Sequence, residues 1–84
     1  MRLLRIALAS INATVGAVRS NTDKVLARID EAEAAGVSVV AFPEQCLGGY
    51  PSEDLVQWRG FIDAQWAALT RIAAATKDKR VVVA

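Results

Sequence analysis

Three short apolar runs, at residues 3–9, 37–42 and 81–84, alternate with two stretches whose apolar residues recur at helical spacing. This order, β-α-β-loop-α-β, leaves few topologies open. It implies parallel strands joined by right-handed crossovers, hence an α/β fold. Two such helices cover only one face of a sheet. The first two runs nonetheless read as strands buried on both sides. The third run meets the end of the chain without a turn or cap. The expectation is that residues 1–84 form the N-terminal part of a larger domain, interrupted in its third strand.

Local signals place the elements. Residues 11–18 form a connection with Asn12 and Gly16 as turn formers. Ser20 or Asn21 is the expected cap of a first helix, with Asp23 favourably placed in its first turn. Its apolar stripe is Val25, Leu26, Ile29 and Ala32, and Gly36 stands where a left-handed C-terminal cap belongs. Gly48, Gly49, Pro51 and Ser52 make a loop, with Ser52 expected to cap a short turn over residues 53–57. A second long helix is expected to bury Phe61, Ile62, Gln65, Trp66, Leu69, Ile72 and Ala73, followed by a polar turn at residues 77–80.

Composition narrows the classes of function. Apolar residues make up 54% of the chain, too many for a disordered segment, but many are alanine, so the core is thin. Ten Lys plus Arg against nine Asp plus Glu give a net charge of +1 with no basic stripe, which argues against nucleic acid as a partner. No apolar run approaches the roughly 20 residues of a membrane span. Arg5 interrupts the apolar N-terminal stretch, so it reads as a strand rather than a signal peptide. A single Cys excludes an internal disulfide and agrees with a reducing, cytoplasmic setting.

The chemistry centres on residues 37–54, VSVVAFPEQCLGGYPSED. The second strand ends at Phe42, Pro43 stops it, and Glu44 follows just past its carboxyl end, where open α/β sheets gather ligands. From position alone Glu44 is either a solvated carboxylate or a general base. Cys46 lies in an irregular loop with no His in the chain to activate it, and reads as a small apolar residue rather than a nucleophile. Tyr50 is either a packed aromatic or a pocket wall beside Glu44. Trp58 and Trp66 read as packing residues. With no His and one Cys there is no zinc or haem ligand set, so no metal site is expected here. Neither G-x-x-x-x-G-K nor G-x-G-x-x-G occurs, so no phosphate loop is recognisable. Gly48 and Gly49 read as permissive backbone before Tyr50.

Three segments, RIALASINATVG, EAAGVSVVAFPE and GGYPSEDL, together resemble the nitrilase, or carbon–nitrogen hydrolase, superfamily. In the form GYPSEDL the likeness is to the glutaminase domains of the glutamine-dependent NAD synthetase family, and it runs from Arg2 to Ala84. The resemblance implies the start of a four-layer αββα sandwich and a Glu-Lys-Cys triad. Glu44 matches the triad Glu, and Tyr50 matches a tyrosine lining the glutamine pocket. Lys77 and Lys79 come too early for the triad Lys, and Cys46 does not match the nucleophile. The resemblance further implies glutamine as substrate, with ammonia passed to a separate domain that uses ATP and Mg to amidate nicotinic acid adenine dinucleotide. Assembly into a homo-oligomer is also implied. The 84 residues alone, lacking the Lys and Cys, are expected to be inert.

The sequence departs from the family pattern at Ala13, where proline often follows Asn. It departs again at Gln45-Cys46, which replaces a small or apolar pair, and at Gly48, which replaces Thr or Ser. Other readings remain open at this point: a single-domain amidase or nitrilase, a non-catalytic truncated interaction domain, or an unrelated small βαβ binding domain.

Overall fold

The computed structural model describes residues 3–84, and Arg2, where the family resemblance begins, lies outside the described residues. Its elements run β1 (Ile6–Leu8), α1 (Val18–Ala34), β2 (Val39–Ala41), a 3-10 turn (Glu53–Gln57), α2 (Arg59–Thr76) and β3 (Val82–Val83). The three strands are parallel, as expected from the alternation, and lie in the order β1-β2-β3. Ile6 pairs with Val39 and Val39 with Val82, while Ala7, Val40 and Val83 share the next row. The regular strands are shorter than the apolar runs, but pairing continues past them. The Ala9 N–H donates to the Ala41 carbonyl at 2.9 Å, and the Phe42 N–H to the Ala84 carbonyl at 2.9 Å.

Because side chains alternate across a strand, the row Ala7-Val40-Val83 faces the helices while Ile6, Leu8 and Val82 face away. The helix-covered face holds the core: Val25, Ile29 and Ala32 of α1, Ile72 of α2, Val40 and Val81. The opposite face is open, with Leu8 84% and Ile6 59% exposed. Strands expected to be buried on both sides are therefore covered on one, because α1 and α2 pack on the same face, as two successive right-handed crossovers require.

The expected stripe of α1 is buried as read, with Leu26 at its margin. Gly36 takes φ +72° and closes the helix in a full Schellman pattern. The Gly36 N–H donates to Glu33 and the Val37 N–H to Ala32. The start of α1 departs from expectation. The helix begins at Val18 with Ala17 at the cap position and no side-chain cap, so neither Ser20 nor Asn21 caps it. Asp23 accordingly falls beyond the first turn and pairs with Arg71 of α2 at 2.8 Å. Ser52 likewise makes no side-chain cap, and its carbonyl accepts the Leu55 N–H instead.

Helix α2 buries only part of the stripe expected, together with Ala68. Ala68 and Ile72 are buried, and Phe61, Ile62 and Gln65 half-buried. Trp66 is 65% exposed, and Trp58, Leu69 and Ala73 lie with it on the adjoining, solvent-facing stripe. Apolar content alone did not rank the two stripes.

The lower end of the sheet is tied by Glu33. Its carboxylate accepts the N–H groups of Arg80 at 3.2 Å and Val81 at 3.0 Å, joining the last turn of α1 to the start of β3. These two backbone donors hold its carboxyl below the usual carboxylate range.

Candidate functional site

The carboxyl ends of β1 and β2 each lead into an irregular loop, and the two loops meet. After β2, Pro43 cannot continue the ladder, and residues 44–48 form a tight turn. Gln45 takes φ +56° there, a conformation uncommon for a side chain with a Cβ. The Gly49 N–H closes the turn on the Gln45 carbonyl at 2.8 Å. Glu44 opens the turn and is exposed. No ion pair engages it among the described residues.

Gly48 and Gly49 have separate reasons to be glycine. Gly49 has φ +86° and lies against the β1–α1 loop, where a Cβ would stand 2.5 Å from the Val15 Cα. Gly48 lies against α2, where a Cβ would meet Phe61 and Gln65 at 2.8 Å. The departure from Thr or Ser at Gly48 is thus matched by bulky neighbours on α2. The Gly48 carbonyl accepts the Gly16 N–H at 2.8 Å, which stitches the two loops together.

A second stitch comes from Asn21, which is fully buried. Its Oδ1 accepts the Thr14 N–H at 2.8 Å, and its Nδ2 donates to the carbonyls of Thr14 and Leu47, both at 2.8 Å. Sequence reasoning assigned this residue to a helix cap and missed its role. The available signal was an Asn inside a helix on the apolar side, four residues before Val25.

Cys46 is half-buried and packs against the core beside Leu47. Burial pushes its thiol above the ordinary range, the opposite of what an attacking thiolate requires. Tyr50 lies beyond the turn and is 71% exposed. A depression of about 160 Å³ between the turn and α2 is lined by Gln45, Gly48, Gly49, Ser52, Phe61 and Gln65. Neither Glu44 nor Tyr50 lines it, although the two expected site residues share one loop. Among the described residues no group of three His, Cys, Asp or Glu side chains is placed to hold a metal ion.

No protein-family model matches the chain. The glutamine-dependent NAD(+) synthetase of Xylella fastidiosa is 47% identical over 81 residues, which are 95% of this chain and 15% of that protein. The enzyme of the same name from Xanthomonas campestris pv. campestris is 46% identical over 84 residues, again 15% of its length. The crystal structure of a glutamine-dependent NAD(+) synthetase from Cytophaga hutchinsonii superposes with a TM-score of 0.87 at 30% identity, over 95% of this chain and 13% of that one. The Acinetobacter baumannii enzyme, solved with adenosine diphosphate, gives a TM-score of 0.86 at 26% identity, over 99% and 15%.

This chain matches the N-terminal region of glutamine-dependent NAD synthetases. It spans about 15% of the length of these curated relatives. Among the described residues, no helix is long and apolar enough to cross a membrane.

Proposed function

We propose that the chain is the N-terminal part of a glutamine-hydrolysing NAD synthetase, and that residues 1–84 begin its amidase domain. The observation that carries this reading is identity of 46–47% over 95% of the chain to synthetases of that name. It is supported by the placement of Glu44 directly after a sheet strand's carboxyl end, at the head of a turn clamped on both flanks. In this reading Glu44 is the general base. It takes the proton from a cysteine thiol as sulfur bonds to the glutamine amide carbon, and passes it to nitrogen as ammonia leaves. The Cys and its partner Lys belong to residues beyond these 84, and Tyr50 forms part of the glutamine pocket. Released ammonia then serves the ATP-dependent amidation of nicotinic acid adenine dinucleotide to NAD.

ATP and Mg would be bound elsewhere in the longer enzyme, because the described residues offer neither a phosphate-cradling loop nor an acidic metal cluster. The open face of Ile6, Leu8 and Val82 is the natural seat for a second sheet, which would complete the four-layer αββα sandwich. A cytoplasmic homo-oligomer belongs to the same proposal.

The test compares glutamine with ammonia as nitrogen donor in the longer enzyme. Glu44→Gln should abolish glutamine-dependent NAD formation while ammonia-dependent formation persists. Equal loss of both activities would overturn the assignment. Tyr50→Ala should mainly raise the KM for glutamine, as loss of uniform binding does. Glutamine hydrolysis with no ammonia-dependent NAD formation would instead favour a stand-alone amidase.

A further inference from the structure

We infer that Asn21 is the positioning residue for the Glu44 turn, an inference that rests on the amidase reading above. A fully buried amide is costly unless its groups are paired, and here both side-chain heteroatoms are engaged. The three bonds do not serve α1 itself. They reach out of the helix to two separate loops, one leaving β1 at Thr14 and one leaving β2 at Leu47. Leu47 lies three residues after Glu44 within the same turn.

The chemistry of the clamp selects Asn. The Thr14 N–H needs an acceptor, while the carbonyls of Thr14 and Leu47 need donors, and one primary amide supplies both at once. Aspartate has the same shape but would set an oxygen against two carbonyl oxygens. Serine is too short to span the two loops, and glutamine carries an additional methylene into a filled site. The Gly16 N–H to Gly48 carbonyl bond and the contact of Gly49 with Val15 lie beside the clamp and hold the same two loops.

Glu44 itself points to solvent within this chain, and no ion pair holds it among the described residues. Its place is therefore set through the backbone of its turn. A general base must stand within hydrogen-bond reach of the proton it moves, and a misplacement of about 1 Å can cost roughly a hundredfold in rate. Asn21 acts through that turn and touches no reacting atom.

The experiment uses the longer enzyme carrying this segment, with Asn21→Asp and Glu44→Gln compared singly and together. For Asn21→Asp the ratio of glutamine-dependent to ammonia-dependent NAD formation should fall by roughly a hundredfold. The loss should lie in kcat more than in the KM for glutamine. The double variant should be no worse than Glu44→Gln alone. A purely structural role would lower both activities together with the folded fraction, and that result overturns the inference. If Glu44→Gln leaves the ratio unchanged, the amidase reading itself falls. If Glu44→Gln lowers the ratio and Asn21→Asp does not, only the inference falls. Should Asn21→Asp fail to fold, amide hydrogen exchange on the unaltered enzyme decides. Residues 13–16 and 46–49 should open as one unit, and independent opening of the two segments overturns the clamp.

Discussion

The two faces of the sheet are built from alternate residues of the same three strands, yet they have opposite fates. Ala7, Val40 and Val83 lie under α1 and α2, whereas Ile6, Leu8 and Val82 face outward. Hydrophobicity does not separate them, since the outward residues are larger than Ala7. What separates them is that both crossovers are right-handed, so both helices fall on one side. The covered face shows what this segment organises by itself. The open face shows what it must obtain from further chain or from another molecule.

The largest expected effect concerns the open face as a whole. The isolated 84 residues should associate or aggregate, because contiguous exposed apolar surface and unpaired strand edges recruit neighbours. A monomer by sedimentation, with a single sharp calorimetric transition, would break the comparison. Next, Ile29→Ala on the covered side should cost about 2–5 kcal/mol, as truncation of a fully buried side chain does. Leu8→Ala sharpens the contrast when measured in the longer enzyme by denaturant titration. A cost in the same range means a second layer covers Leu8, while a change within about 0.5 kcal/mol means that the face stays open.

Cys46 sits at the margin of the covered face, half-buried against the core. Cys46→Ala should cost about 1–2 kcal/mol and, on the amidase reading, leave glutamine hydrolysis by the longer protein nearly intact, because Cys46 is a packing group. Thioester trapping at Cys46 would contradict that. The smallest effect belongs to Glu33, which joins α1 to β3 beside the same core. Its carboxyl is held low by two backbone donors, so its contribution is complete above the ordinary carboxylate range and is lost as pH falls through the lowered value. Thermal midpoints of the Glu33→Gln variant and the unaltered enzyme should therefore converge in acid and separate towards neutrality. A constant gap across that range would show that the bond, and not the charge, accounts for the effect.

Much of the fold was legible because it rests on local periodicity. The alternation of runs, the stripe Val25-Ile29-Ala32, the left-handed Gly36 and the strand stop at Pro43 are each decided within a few residues. The parallel direction of the strands followed from the same alternation. Position and motif likewise picked out Glu44, Tyr50 and the glycine pair as candidates. Misreadings clustered where one residue type serves two purposes. Asn21 and Asp23 carry the chemistry of helix starts, but partners outside the first turn claimed them: Thr14 and Leu47 for the first, Arg71 for the second. Trp58 and Trp66 satisfy any apolar pattern, yet the way α2 packs leaves both largely exposed.

Sequence alone thus determined the kind and order of the elements, since backbone preference and side-chain period act over one or two turns of chain. Tertiary structure decided which sheet face the helices cover, which stripe of α2 is buried, and that a buried amide on α1 holds the loop bearing Glu44. Those outcomes depend on which groups meet across 26 residues or more, as Asn21 and Leu47 do. Burial then gives such meetings their energetic weight, because a polar group removed from water must find its partner wherever the fold brings one.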